Sequence, residues 1–97
     1  MAQNQSILCL QAEWTKLTNA LVTTDISIAL LSGSAEIMAT FGAAPPTVDE
    51  GMPLISHGDG WSEATIAAKF PGVASADTLW ARPIHTPSSA RIFISHG

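Results

Sequence analysis

Short β-type segments separated by turn residues dominate this chain, and in two of them apolar and polar residues alternate in steps of two, the spacing of strands that bury one side. Across residues 25–32, Ile26, Ile28 and Leu30 fall on one face, with Ser27 and Ala29 on the other. The rhythm returns over residues 35–41, where Ile37, Ala39 and Phe41 oppose Glu36, Met38 and Thr40. Ser32-Gly33-Ser34 between them is short turn chemistry, so the two segments are expected to pair as a hairpin. Residues 6–11 read as a first strand, continued by 12–18 after a bend, and residues 52–56 as a short later one. Residues 78–84 and 90–95 are expected to form a closing pair, joined by His85-Thr-Pro-Ser-Ser.

Breakers divide these segments. Pro45 and Pro46 cannot donate to a ladder and stop the strand before them, and His57-Gly-Asp-Gly60 is a turn. The pattern changes only after Trp61. Ser62 is placed to cap a short helix over 63–69, with Ile66 and Phe70 four residues apart on one side and Pro71-Gly72 ending it. Many short strands and little helix predict an all-β fold. The expectation is a small antiparallel β-sandwich or barrel with one short helical insert, a single domain over residues 1–97.

Composition sharpens this picture. Only 12% of the residues are Asp, Glu, Lys or Arg and 46% are hydrophobic, whereas a soluble domain carries roughly 25% charged residues. Some apolar or small-residue surface must therefore face outward, and contiguous apolar surface marks contact sites. The net charge is −4, and Lys16, Lys69, Arg82 and Arg91 are scattered, which argues against nucleic acid and anionic membranes as partners. No stretch nears the ~18 apolar residues of a membrane span. Met1-Ala-Gln-Asn-Gln offers no cationic region for a secretory signal. Cys9 stands alone among Ile7, Leu8 and Leu10, which predicts a buried and inert thiol and excludes an intrachain disulfide.

Candidate chemistry is sparse. His57 and Asp59, two residues apart between glycines, have the composition of an acid–base pair or of part of a metal site completed by His85 or His96. A polar turn, with Asp59 bonded to its own backbone, accounts for them more simply. No Gly-x-Ser-x-Gly elbow is present, and fewer than 100 residues leave little room to enclose a pocket. No catalytic residue, metal ligand or cofactor is assigned. Trp14, Trp61 and Trp80 suit cores and interfaces before sugar stacking. Trp80 and Arg82 share a strand face and are expected to stack. Asp49 and Glu50 read as a solvated loop.

The order of these elements carries a resemblance. An early tryptophan segment (Gln11-Ala-Glu-Trp-Thr-Lys-Leu-Thr) precedes a strand opening on Asp25-Ile and another ending near Phe41-Gly. A proline loop (Ala44-Pro-Pro-Thr), Glu50-Gly-Met-Pro-Leu and Leu79-Trp-Ala-Arg-Pro follow, before a last strand. This resembles the small all-β virion proteins of tailed bacteriophages, over most of the chain except residues 58–76. The resemblance implies a non-enzymatic structural subunit, such as a capsid decoration or head-stabilising protein, made in the host bacterial cytoplasm and resident in the virion. Its partners would be the major capsid or other virion proteins, and a closed homo-oligomer such as a trimer is a natural extension. Trp61, Ile66, Phe70, Trp80, Arg82 and Phe93 are the expected interface anchors. The competing reading is a tail or fibre module that recognises host-surface carbohydrate through Trp61, Asp59 and His57.

Overall fold

A computed structural model of the chain describes residues 3–9, 14–19, 21–42, 44–47, 51–84 and 89–96. The elements in chain order are β1 (Gln3–Cys9), β2 (Thr15–Lys16), β3 (Ile26–Ser32), β4 (Ala35–Thr40), β5 (Met52–Leu54), β6 (Gly60–Ala64), α1 (Ile66–Lys69), β7 (Thr78–Pro83) and β8 (Ala90–His96). They form two antiparallel four-stranded sheets, β1-β8-β3-β6 and β2-β7-β4-β5. The fold is thus the small all-β sandwich that the alternation predicts.

The topology has a simple logic. Strand 1 lies beside 8, 2 beside 7, 3 beside 6 and 4 beside 5, so the partners always sum to nine. An antiparallel ribbon of paired strands has been rolled up until β8 meets β3 and β7 meets β4, which is the jelly-roll arrangement. Inward-facing positions of both sheets supply the core. Leu17, Leu30, Ile37, Leu79, Ile92 and Ile94 are wholly buried.

Two expected pairings are corrected. β3 and β4 do not form a hairpin; each lies in a different sheet, and residues 33–34 carry the chain across the sandwich. Alternation could not reveal this, because Ile26, Ile28 and Leu30 meet Ile37 and Ala39 face to face across the core instead of side by side. The crossing is fixed at Gly33, whose φ of 74° and close approach to the Ser89 carbonyl leave no space for a side chain. β7 and β8 likewise belong to opposite sheets. Most of their connection, residues 85–88, lies outside the described residues, as do residues 10–13, Asp49 and Glu50. Residues 15–16 extend the opposite sheet to the one containing β1 instead of prolonging it.

The helical insert is shorter than expected. Trp61 pairs with Ile28 and Ala64 with Ile26, so the segment stays in the sheet past Ser62. The cap is Thr65, whose hydroxyl accepts from the Ala68 amide at 3.1 Å, and α1 makes a single turn that buries Ile66. Phe41, expected on the inward face, lies beyond the end of β4 and is 69% exposed.

Candidate interaction surface

The two sheets present different outer faces. On the β2-β7-β4-β5 face the side chains satisfy one another. Arg82 Nε donates to Glu36 Oε1 at 2.6 Å, and its guanidinium lies 4.4 Å from the centre of the Trp14 ring. The expected stack on Trp80 is therefore corrected: Arg82 stacks on Trp14. Trp80 is buried and donates its indole N–H to Thr40 Oγ1 at 2.9 Å.

The β1-β8-β3-β6 face is barer. Its central row runs Ser6, Phe93, Ala29 and Gly60, and the next row places Asn4, Ser95 and Ser27 abreast. Phe93 is half-buried, standing between two small neighbours. Charge lies toward the margins of this face, with Glu63 on the edge strand β6 and Arg91, which donates to Ser6 Oγ at 3.2 Å. Leu8, opposite Arg91 in the register, is 45% exposed. Between Phe93 and the chain at 58–62 lies an open depression of about 380 Å³, bordered by Ser27, Ala29, Gly58, Gly60 and Ser62. With Trp61 and Phe93 these residues offer hydroxyls, two aromatic rings and apolar contact, but no acid or base.

The turn beside this depression is held by its aspartate. Asp59 Oδ2 accepts from the Ile55 amide at 2.9 Å and the Ser56 amide at 2.8 Å. These two bonds favour the ionised carboxyl and hold its pKa below the ordinary value of 3.8. Asp59 is thus engaged by its own backbone, and His57 beside it is exposed. His96 is buried at the far end of β8, His85 is outside the described residues, and no cluster of three metal-ligating side chains forms among the described residues. Because the folded pKa is lowered, the stabilisation of this turn is complete above the ordinary carboxylate range and is lost as pH falls through the lower folded value. Amide resonances of Ile55 and Ser56 are expected to titrate with a midpoint below 3.8 and to lose that titration in Asp59→Ala. A midpoint at or above 3.8 would show that the two bonds do not form in solution.

The structure distributes the six expected anchors unevenly. Ile66 is wholly buried, and Phe70 and Trp80 are nearly so. These three pack the chain's own interior, the packing half of the expectation, and their burial leaves little surface for a neighbour. Trp61 is half-buried against that core, its ring edge-on to Phe70 with centroids 6.2 Å apart and Lys69 Nζ 5.9 Å from its centre. Its indole N–H is buried and has no partner among the described residues. Arg82 is tied to Glu36 and Trp14. Only Phe93 stands at the centre of a bare sheet face. Sequence reasoning overlooked the neighbours that give it meaning, Ser6, Ala29 and Ser27. Their signal was the lack of charge at successive outward positions of three strands. Cys9 is buried, which raises its thiol pKa to about 11.

Compared with protein-family models, curated proteins and solved structures, the chain matches none.

Proposed function

We propose that the chain is a non-enzymatic structural subunit of a bacteriophage particle, a capsid decoration or head-stabilising protein that docks through the outer face centred on Phe93. The observation that carries this reading is that face itself: a sheet surface of serine, alanine and glycine around one phenylalanine, with its charge confined to the margin. Desolvating such a surface costs little, because it holds few ionic groups and the small residues let a partner approach the backbone closely. Jelly rolls recur in viral capsid and lectin domains, which agrees with the reading although fold alone does not assign function. Depletion of charge at the centre of a surface is also the compositional mark of protein interfaces.

The test is co-sedimentation of the purified chain with phage heads that lack it. Phe93→Glu is expected to weaken capture at least tenfold, because a carboxylate would be buried at the contact centre, while thermal stability changes little. A chain that binds neither heads nor tails of the phage that encodes it overturns the proposal. The serines bordering the depression beside an aromatic ring keep carbohydrate as the second reading. A saturable sugar-dependent quench of tryptophan fluorescence, lost in Trp61→Ala, would transfer the face to that role.

A further inference from the structure

Three of the four sheet edges are blunted, and one is not. β2 is two residues long and ends on Lys16, and β5 is three residues long and carries Pro53. β6 is interrupted by a register shift, and its Glu63 adopts a φ of 54°. β1 differs on every count. It runs seven residues, pairs with β8 without a register shift, and contains neither a charged residue nor a proline. No other described strand pairs with its outer edge. Short length, charge, proline and bulges are the devices that keep strand edges from pairing with other chains, and β1 has none of them.

We propose that this edge is occupied by β1 of a second copy of the chain, paired antiparallel about a two-fold axis normal to the sheet at Ser6. Antiparallel pairing about a two-fold is self-complementary, so a copy satisfies the free backbone donors and acceptors without any further feature. Charge favours this strand as the meeting point. With a net charge of −4, two copies repel over most orientations, but along β1 no like charges are apposed. Placing the axis at Ser6 engages all seven residues. It sets Gln5 beside the partner's Ile7, and Asn4 beside the partner's Leu8. That contact covers Leu8, which the single chain leaves 45% exposed, and Ile7, which it leaves half-buried.

The arrangement has a consequence for the docking face. Ser6 and Phe93 share a register row, so the two Phe93 rings come to lie on the same side of one eight-stranded sheet. Three strand spacings separate them, about 14 Å. The edge alone is a small contact, so the dimer is expected to be reversible and to populate at roughly 0.1–1 mM.

Sedimentation velocity from roughly 10 μM to 1 mM tests the pairing. The expected result is a monomer converting to a dimer with loading, and Gln5→Lys weakening that conversion at least tenfold. Gln5 is exposed, so this substitution leaves the fold intact. Oxidation of Ser6→Cys is expected to trap the dimer, because strands paired antiparallel bring Cα atoms to the separation a disulfide requires. A monomer at every loading overturns the proposal, as does a dimer that Gln5→Lys leaves unchanged. Should Gln5→Lys fail to fold, amide exchange of the unsubstituted chain decides: β1 protection must rise with concentration. The inference shares its face with the proposed docking role but fails separately from it. Phe93→Glu should remove docking and spare the dimer, whereas Gln5→Lys should remove the dimer and spare docking of single chains.

Discussion

Truncating Gln3 to alanine is expected to lower stability by about 3 kcal/mol, for a side chain at the very start of the first strand. Gln3 is 6% exposed, and three groups converge on its amide. Its Nε2 donates to the Leu17 carbonyl at 2.8 Å, while its Oε1 accepts from the Asn19 amide and from His96 Nε2, both at 2.9 Å. The carbonyl of Leu17 can only accept, which orients the amide and requires the proton of His96 to sit on Nε2. This one side chain joins β1, the exit of β2 and the end of β8. Removing it strands the His96 N–H and the Leu17 carbonyl, each costing about 1–3 kcal/mol when left buried without a partner, partly relieved by entering water, and takes one acceptor from the Asn19 amide. Total stabilities of about 5–15 kcal/mol make such a loss severe. Thermal unfolding is expected to drop by about 10–20 °C. Gln3→Met separates hydrogen bonding from volume: it fills the space but restores no bond, and should unfold near the alanine variant. A methionine variant as stable as the original chain would show that the amide contributes only bulk.

This knot was not legible in the sequence. Nothing in Gln3, Leu17, Asn19 and His96 advertises a connection, because it depends on β1 and β8 lying side by side, a pairing between the two ends of the chain. What the sequence did carry was local. Alternation located β3 and β4 closely, since burying one side of a strand forces period-two apolarity, and the flanking turn residues bounded β7 and β8. Gly58 and Pro71-Gly72 marked real turns, and Gly33 a bend between sheets. Alternation says which side of a strand faces inward but not which sheet the strand belongs to, so the crossings at 33–34 and between β7 and β8 were misread as hairpins.

The candidate site divides along the same line. Ile66, Phe70 and Trp80 looked like anchors because they are large and apolar, and for that reason they were taken into the interior. Phe93 was legible as an aromatic in a final strand. Its setting was not, because Ser6 and Ala29 reach it from strands far away in sequence. The helix misjudgement has a local cause: Ser62 is a plausible cap, but pairing of Trp61 and Ala64 with β3 outcompetes a marginal first turn.

Among the described glycines, Gly60→Ala is expected to be the most damaging change, costing about 3 kcal/mol. Gly60 has a φ of 146° and sits opposite Ala29 in the β3–β6 pairing. A Cβ built there would lie 2.2 Å from the Ile28 carbonyl oxygen and 2.8 Å from the Ile28 carbonyl carbon, both backbone atoms that cannot rotate away. Relief requires β6 to separate from β3, with loss of ladder bonds in addition to backbone strain of about 1–3 kcal/mol. Gly58→Ala supplies the control. Its φ of 94° is also costly for alanine, but nothing lies within 4 Å of the added carbon. The difference between the two variants in urea unfolding therefore reports the steric clash together with the difference in backbone strain at the two φ values, and equal losses would refute the close approach of β6 to β3. The same comparison reaches the docking face, because Gly60 borders the depression beside Phe93. If β6 moves outward in Gly60→Ala, capture by phage heads should weaken even where the protein remains folded, whereas Gly58→Ala should bind more nearly as the original chain does.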